Sequence, residues 1–397
     1  MRARRCLGVG VVGFGWMGQA HSRSLMRNPS LFPDRSYDVR LVICGDPIAE
    51  RRERAISDFG FSHIASDWRE VVAHPTVDVV VCAGPNMLHV EVVEAAAAAG
   101  KHVFCEKPVG GRPEDVARAA AAIERAGVIG GVGYCFRWAP LVLHAKTLID
   151  DGRLGAVTNY RGRFLSMYGS DPLGLLSWRF LTAEGGHGVT SDLLCHAVDL
   201  AHMLLGPITR VVGAMETFIP ERPLSQAGGV GHYGRGAPGD PRGQVTNEDY
   251  AGMLCEFACG ARGTFEASRT MIGPESQMAF DVHGIEGALG WSLERLNELR
   301  VNIPGGELER GYTTVFGGDR FAHHGAFAPG DANGIGFEDL IAIEDHEFCA
   351  AVVEDRPFAP GFEEALDYAA VQTALIRSAH TGAWEDVVPL RQGVSAP

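Results

Sequence analysis

The chain has 397 residues, 46% of them hydrophobic, and a formal net charge of −14. That length exceeds what one hydrophobic core normally serves, so we expect two domains. The acidic balance argues against nucleic acid and anionic membranes as partners, and no stretch approaches the roughly 18 apolar residues of a membrane helix. The nine cysteines form no CxxC pair, which favours reduced thiols, a cytoplasmic location and no metal site.

A glycine spacing follows the first apolar, strand-like run. The segment LGVGVVGFGWMG begins at Leu7 and contains Gly13, Gly15 and Gly18 in the spacing GxGxxG. In a dinucleotide-binding turn the first glycine permits a tight turn, the second lets backbone approach a pyrophosphate and the third allows close helix packing. The spacing alone is a weak signal in a chain with 51 glycines. The other members of this predicted cofactor turn are Phe14, Trp16 and Met17.

An acidic residue stands just after the second apolar run, residues 39–44. A carboxylate at this point can accept both ribose hydroxyls of NAD and repel the 2′-phosphate of NADP, which is the role predicted for Asp46. An insertion at 28–38 lengthens its interval from the glycine turn, and the aspartate could also simply begin a helix. Arg51 and Arg52 could serve a 2′-phosphate, but they lie inside the next predicted helix. The pattern therefore favours NAD over NADP.

Strands and helices alternate up to about residue 135. The run at 77–82 is nearly all valine, as in a parallel strand buried on both faces. Further strands are predicted over 102–105 and 128–135, and helices over 48–58, 67–73, 89–99 and 113–126. This alternation predicts a doubly wound parallel sheet with ligands outside the carboxyl ends of its strands. Polar residues that follow those ends are Pro85, Asn86, His89, Glu106 and Lys107, although Lys107 could equally be a solvated loop lysine.

Beyond residue 136 the sequence becomes strand-rich. Strands are predicted over 157–167, 211–218, 250–257, 263–268, 278–283 and 299–303, and helices over 140–149, 192–205, 337–353 and 363–380. We expect an α/β domain whose mixed, mainly antiparallel sheet is covered by the last three helices. The segment 220–244, rich in glycine and proline, predicts a mobile loop or lid, and 317–336 a substrate-facing or surface loop. The predicted domains are 1–136 and 137–397.

A second group of polar residues lies in the segment DLLCHAVDLAHML. It places Asp192 and His196 one helical turn apart, a spacing at which side chains can share a hydrogen-bond network. Asp192 could equally cap the helix, and His196 could be a satisfied buried histidine. The preceding run at 185–188, GGHG, would let the chain pass close to a ligand.

Together these motifs resemble the Gfo/Idh/MocA family of sugar and cyclitol oxidoreductases over nearly the whole chain. They occur in family order: GFGWMG at 13–18, GPNMLH at 84–89, CEKPVG at 105–110, FRWAP at 136–140, SWRF at 177–180, DLLCH at 192–196 and ALIRSAHTGAWEDV at 374–387. The resemblance implies an NAD-binding Rossmann domain followed by an α/β domain whose open sheet packs against another subunit. Homodimers or homotetramers are the implied assemblies.

Carried over by position, the resemblance also implies roles for single residues. Lys107 matches the lysine of the family's EKP motif, and Asp192 and His196 match its Asp-x-x-x-His pair. Positions that border cofactor or substrate in many members are Asn86, His89, Glu106, Arg137, Trp178 and Arg179. The family often has glycine where His187 stands beside the substrate, and the insertions are local, so the resemblance does not transfer a substrate.

These residues predict oxidation of a ring secondary alcohol of a sugar, cyclitol or amino-sugar to a ketone, with hydride transfer to NAD. His196 is the predicted general base because an imidazole titrates near neutral pH. Asp192 would orient it, and Lys107 would hydrogen-bond the reacting oxygen. Two alternatives stay open: an NAD-dependent glycoside hydrolase that oxidises a sugar carbon transiently and eliminates the aglycone, and a non-catalytic NAD sensor.

Overall fold

The first part of the chain builds a parallel sheet. A computed structural model describes residues 4–224, 234–303 and 311–390. The strands are β1 (Arg5–Val12), β2 (Tyr37–Gly45), β3 (His63–Ala65), β4 (Val79–Cys82), β5 (His102–Cys105) and β6 (Gly130–Val132). The helices between them are α1 (Trp16–Leu31), α2 (Ala49–Ser57), α3 (Trp68–Ala73), α4 (Asn86–Ala98) and α5 (Pro113–Ala126). The six strands pair in parallel in the order β3-β2-β1-β4-β5-β6, which confirms the doubly wound sheet.

Local sequence explains these elements. All four residues of β4, read VVVC, are buried, as expected for a central strand with helices on both faces. Helix α5 begins with proline followed by Glu114 and Asp115, and it ends at Gly127 with a left-handed φ of 63°. Acidic residues oppose the positive end of the helix dipole, and glycine adopts the left-handed conformation without steric cost.

The second part of the chain builds a larger, mixed sheet. Its strands are β7 (Val157–Ser166), β8 (Ile208–Glu216), β11 (Tyr250–Phe257), β12 (Arg262–Ser268), β13 (Ser276–Gly284), β14 (Ala288–Ser292), β15 (Glu298–Asn302), β16 (Thr313–Phe316) and β17 (Glu385–Asp386), while β9 (Glu221–Pro223) and β10 (Arg242–Gln244) form a separate pair. The order is β16-β15-β14-β13-β7-β12-β11-β8-β17, and among the described strand pairs of this second sheet only β7–β12 is parallel. The mixed, mainly antiparallel sheet is thereby confirmed.

Helices cover one face of this sheet. The helices of this part of the chain are α6 (Pro140–Asp150), α7 (Thr182–Gly185), α8 (Cys195–Leu205), α9 (Phe337–Glu354) and α10 (Phe362–Thr381), with a π-helical turn at Thr190–Leu194 just before α8. Of these, α6, α8 and α10 contact the mixed sheet. Alternate residues of β11 are buried, whereas Leu254 on the opposite face is 51% exposed. None of the helices in the described ranges has the length and apolarity that a membrane crossing requires.

The placement of α9 differs from the prediction. Its apolar pattern predicts a helix on the second sheet, but α9 packs against α1 of the first. Phe348 on α9 meets Phe104 of β5 with ring centroids 5.2 Å apart, and Glu338 lies 2.5 Å from Arg23 of α1. The helix is buried on several sides, so its apolar pattern indicates burial without identifying the sheet that it covers.

The segments 220–244 and 317–336, both predicted as loops, make specific contacts with the rest of the protein. β9 and β10 pair, and Arg222 is 1% exposed with its guanidinium 4.0 Å from the Phe180 ring. The prediction of a mobile loop over 220–244 is therefore wrong at both ends, while its middle, 225–233, lies outside the described residues. In the segment 317–336, His324 is buried and its Nε2 lies 2.7 Å from the carbonyl oxygen of Asn333.

Candidate active site

The carboxyl ends of β1, β4 and β5 form one edge of the first sheet because these strands are parallel neighbours. The glycine turn follows β1, and the loop that contains Asn86 follows β4. The loop that contains Lys107 follows β5, where the Glu106 N–H donates to the carbonyl of Cys82 at 2.8 Å. The sequence motifs therefore meet in a single crevice, where a doubly wound sheet binds its ligand.

The three glycines of the turn differ in what surrounds them. Gly13 has φ of 87°, and a Cβ there would lie 2.6 Å from the Cα of Gly84. A Cβ at Gly18 would overlap the carbonyl oxygen of Gly13. A Cβ at Gly15, in contrast, would meet no atom within 4 Å, and the first turn of α1 carries no acidic residue. Open space beside a helix N-terminus is what a dinucleotide pyrophosphate requires, so the turn fits NAD.

Asp46 is held next to this turn. Its Oδ2 accepts from the N–H of Phe14 at 2.7 Å and its Oδ1 from the N–H of Ile48 at 2.9 Å. A carboxylate offers about four acceptor positions, so ribose hydroxyls can share it. The Phe14 ring itself packs in the core, 5.0 Å from the ring of Phe59, so only its backbone faces the turn.

The two remaining residues of the turn differ in exposure. Trp16 is 62% exposed and stacks on Phe337 of α9 with ring centroids 5.6 Å apart. Met17 is partly buried against the core. Trp16 is therefore the one large side chain of the glycine turn that stands at the surface of the crevice.

Several residues predicted at the cofactor have side chains that join parts of the protein. His89 places its ring nitrogens 2.8 Å from the carbonyl oxygen of Pro108 and 2.9 Å from that of Gly84. The Nδ2 of Asn86, the first residue of α4 after Pro85, donates to the carbonyl of Gly185 at 3.3 Å. These contacts fix the loops that frame the crevice, and direct contact of these residues with NAD stays a prediction.

Glu106 and Arg137 likewise have protein partners. Glu106 accepts from the N–H of Lys107 at 3.1 Å and lies 3.1 Å from Nε2 of the buried His21. Arg137 donates from Nε and Nη2 to both oxygens of Asp199, at 2.8 and 2.7 Å. The paired guanidinium supports the wall behind the crevice, and its contact with the cofactor is also still a prediction.

Lys107 and Asp192 meet across the crevice. The ammonium of Lys107 donates to both Oδ1 and the main-chain carbonyl of Asp192, each at 3.0 Å. Burial opposes charge on both groups, but the Asp192 carboxylate raises the pKa of Lys107 above its usual value. Lys107 and Arg179 in turn hold the pKa of Asp192 well below its usual range. The pair is therefore an ammonium and a carboxylate at neutral pH.

Tyr168 also belongs to this site, and sequence reasoning missed it. Its hydroxyl donates to Oδ2 of Asp192 at 2.8 Å, and Arg179 places Nη1 3.5 Å from Oδ1. Arg179 also lies over the Trp178 ring, 4.6 Å from its centroid. Nothing in the sequence around Tyr168 marks it, because only the end of β7 in the folded sheet carries it to Asp192.

His196 lies beside this group but does not hydrogen-bond Asp192. Its ring packs 4.7 Å from that of Phe136, and its Nδ1 is buried without a partner among the described residues. Burial, followed by the charge of Lys107, lowers the pKa of His196 well below its usual value. The prediction of a shared hydrogen bond assumed an α-helix, whereas the π turn at Thr190–Leu194 adds a residue to the turn and offsets the two side chains.

The GGHG segment has a different role from the one predicted. A Cβ at Gly186 would overlap the backbone of Gly111, and one at Gly188 would overlap the carbonyl of Glu248. These glycines therefore allow protein segments to approach each other, rather than a ligand. His187 is 3.9 Å from Glu248, between Nδ1 and Oε2, and its contact with substrate remains a prediction.

Two protein-family models match the chain. One, described as an oxidoreductase family with an NAD-binding Rossmann fold, covers residues 7–134. The other, described as the GFO/IDH/MocA C-terminal domain, covers residues 142–290. Together they cover the parallel sheet from Leu7 onwards, the strands of the mixed sheet that precede residue 290, and the Lys107–Asp192 pair.

Curated relatives and solved structures agree with this match. Levoglucosan dehydrogenase of Pseudarthrobacter phenanthrenivorans is 36% identical over 96% of this chain and 98% of its own length. The NAD-dependent scyllo-inositol 2-dehydrogenase of Bacillus subtilis is 30% identical over 70% of this chain and 72% of its own. A structure of levoglucosan dehydrogenase in complex with NADH and levoglucosan superposes with a TM-score of 0.90 at 32% identity, covering 96% of this chain and 100% of that one.

Proposed function

The chain belongs to the Gfo/Idh/MocA family of NAD-dependent oxidoreductases, and from that premise we propose that it oxidises levoglucosan or a closely related neutral ring sugar at a secondary hydroxyl. The enzyme class follows from the family, and the likeness to levoglucosan dehydrogenase over the whole length supports the substrate class. The observation that carries the proposal is the contact of Lys107 with Asp192, 3.0 Å from Nζ to Oδ1, in the same crevice as a glycine turn with space for the pyrophosphate of NAD.

Lys107 stabilises the reacting oxygen in the proposed mechanism. When bound, NAD supplies the hydride acceptor for the carbon that bears the hydroxyl. The ammonium of Lys107 donates to that hydroxyl oxygen and stabilises the negative charge that develops on it. Asp192 keeps the ammonium protonated and orients it. The residue that Asp192 orients in this proposal is therefore Lys107 rather than His196.

His196 receives the hydroxyl proton in the same mechanism. Its lowered pKa keeps the imidazole neutral at physiological pH, which leaves a ring nitrogen able to accept a proton. The rings of Phe136 and Phe164, with centroids 4.7 and 5.9 Å from that of the imidazole, hold His196 in position, whereas the sequence predicts the Asp192 carboxylate in this role.

The charges of the site favour a neutral substrate over an amino-sugar. Lys107 and Arg179 bring two positive charges to the one carboxylate of Asp192. A protonated amino group placed there would meet a net repulsion, which weakens binding in a partly buried site. Neutral hydroxyls avoid this cost and can accept from the cations or donate to the carboxylate.

The proposed domain organisation separates residues 1–136, which bind NAD, from 137–397, which bind substrate and form the subunit contact. All six strands of the parallel sheet precede residue 137, and all strands of the mixed sheet follow it. The open face of the mixed sheet supports a homodimer or homotetramer as the working assembly.

A substrate panel tests the proposed function. Purified protein with NAD is offered levoglucosan, glucose, myo-inositol, scyllo-inositol and glucosamine, and NADH formation is followed by absorbance. We expect NADH with levoglucosan or a close neutral sugar and little with glucosamine. Cleavage of an aryl glycoside without net NADH would instead identify a hydrolase. Tight NADH binding without turnover on any compound would identify a sensor.

A further inference from the structure

A π-helical turn presents Asp192 to the crevice. Residues Thr190–Leu194 form this turn immediately before α8. In a π turn each N–H bonds to the carbonyl five residues earlier, so the turn holds one residue more than an α-helix. Such turns are rare and occur singly, so contacts from outside the helix have to favour this one over an uninterrupted α8.

Those outside contacts converge on Thr190. Its N–H and its Oγ1 both donate to Oε1 of Glu248, at 3.0 and 2.7 Å, and its carbonyl accepts from the hydroxyl of Tyr368. Gln372 donates from Nε2 to Oγ1 of Thr190 at 3.1 Å and to Oγ of Ser191 at 2.9 Å. All five residues are buried, so these bonds form away from solvent.

The register of the turn decides what Lys107 can bind. Nζ of Lys107 donates to the main-chain carbonyl of Asp192 as well as to its carboxylate, both at 3.0 Å. In a continuous α-helix that carbonyl would accept from the N–H of His196, four residues later. In the α-helical register Lys107 would therefore share that carbonyl with a main-chain N–H, and the carboxylate would be rotated.

We propose that Tyr368 and Gln372 of α10 are positioning residues, which hold residues 190–194 in the π register and thereby set the geometry of Lys107 and Asp192. The kinetic consequence rests on the proposed function, in which Lys107 meets the reacting oxygen. Neither residue touches substrate or cofactor in this account, and both act through Thr190 and Asp192.

The test removes single hydrogen-bonding groups. Tyr368→Phe deletes only the hydroxyl that bonds Thr190. Its matched control is Tyr160→Phe, which deletes the hydroxyl of a tyrosine 1% exposed whose oxygen has no partner in the described ranges. A second variant, Gln372→Leu, removes the amide that donates to Thr190 and Ser191 and replaces it with a side chain of similar volume. Each protein is measured for kcat, for KM of NAD and of the sugar, and for the acetylation rate of Lys107 by mass spectrometry at fixed pH.

We expect Tyr368→Phe and Gln372→Leu each to lower kcat by about three- to tenfold, the effect of one buried hydrogen bond. KM for NAD should stay unchanged, because the glycine turn is remote from α10. Lys107 should acetylate faster in both variants, because a displaced Asp192 carboxylate stabilises the ammonium less, which lowers the pKa of Lys107 and frees more amine. Tyr160→Phe should match the wild type in every measurement.

Wild-type kcat together with wild-type Lys107 acetylation in both variants would overturn the inference. The acetylation readout also separates it from the proposed function. If the wild-type protein reduces no NAD with any sugar, the proposed function fails, while faster acetylation of Lys107 in the variants still supports the positioning role and an unchanged rate still refutes it.

Discussion

Asp192 is the carboxylate around which the other charged side chains of the crevice are arranged. Lys107 and Arg179 approach its Oδ1 at 3.0 and 3.5 Å, and Tyr168 donates to its Oδ2 at 2.8 Å. These partners keep it ionised despite burial, and the ionised carboxylate keeps Lys107 protonated. In the proposed mechanism this charged ammonium faces the reacting oxygen before substrate binds, which is the preorganisation that electrostatic catalysis requires.

Loss of either proposed catalytic group should abolish most turnover. Lys107→Ala removes the donor to the reacting oxygen and His196→Ala removes the proton acceptor, so each should cut kcat at least about 100-fold. NADH binding, followed by fluorescence, should persist in both. Lys101→Ala is the matched control, since Lys101 bonds backbone carbonyls at the opposite end of β5. Near-wild-type turnover in the two site variants would refute these roles.

The pH dependence of turnover should follow His196 on the acid side. Its pKa is lowered from the usual 6.5 by burial and by Lys107, against the opposing charge of Asp192. Because the neutral imidazole is the active form, the acid limb of kcat/KM should lie below pH 6.5. Lys107 titrates above its usual 10.5, so no alkaline loss due to it should appear below that pH. An acid limb at or above pH 6.5 would show that His196 is not the base.

Asp46 should determine the choice between NAD and NADP. Asp46→Asn removes the charge that repels a 2′-phosphate and keeps one side-chain oxygen, which can accept from the N–H of Phe14 or from that of Ile48. We expect the ratio of kcat/KM for NAD over NADP to fall by about tenfold or more, the effect of a lost interaction of some 1.4 kcal/mol. Asp67→Asn is the control, because Asp67 caps α3 through the N–H of Arg69. An unchanged ratio in Asp46→Asn would contradict the role.

Among the helices, strands and turns, the sequence predicts those that are determined by a pattern within a short stretch of chain. Apolar runs and the glycine spacing identify the parallel sheet and its turn, and helix α5 has the predicted bounds because proline and glycine mark its ends. The π turn and the position of α9 could not be predicted. The register of the turn depends on α10, almost 180 residues further along the chain, and α9 is apolar enough to be buried against either sheet.

His21 on α1 links the loop after β5 to α9, and its loss should destabilise the fold. The buried imidazole lies 2.9 Å from Oδ1 of Asp345 on α9 and 3.1 Å from Oε1 of Glu106 after β5. His21→Leu leaves these carboxylates buried without their partner, so we expect a loss of about 3–5 kcal/mol in the free energy of unfolding by urea. Ser24→Ala, on the same helix, removes only a 3.4 Å bond to the carbonyl of Ile341 and should cost far less. Equal losses in the two variants would contradict this.

The contribution of His21 should also depend on pH. Burial lowers its pKa, but Asp345 and Glu106 outweigh burial and raise the pKa well above 6.5. A group whose pKa is higher in the folded state contributes its full stabilisation below the unfolded value and loses it as pH rises through the folded value. Burial, followed by the charge of Glu106, raises the pKa of Glu344 on α9 well above its usual value, which makes Glu344 a weaker competitor for the His21 charge. The difference between wild type and His21→Leu should therefore shrink on the alkaline side.

At the scale of the whole molecule, the two sheets meet at the crevice through backbone as well as side chains. Gly186 approaches the backbone of Gly111 so closely that a Cβ would overlap it, and Asn86 bonds the carbonyl of Gly185. The glycine turn and the Asp192 turn are thereby fixed relative to each other. The opposite face of the mixed sheet has no such cover within the described chain, and Leu254 stands there beside Val212 and Thr264 on neighbouring strands.

That open face should be the subunit contact. Leu254→Glu places a charge in the middle of the sheet face, where burial against a second copy would cost several kcal/mol, so sedimentation velocity should show a shift from a dimer or tetramer to smaller species. Ile56→Glu is the control, because Ile56 is similarly exposed, at 47%, but lies on α2 of the first domain. A wild type that sediments as a monomer, or a Leu254→Glu variant with unchanged mass, would show that this face is not the contact. Retention of NADH binding by the variant would confirm that the glycine turn folds without that contact.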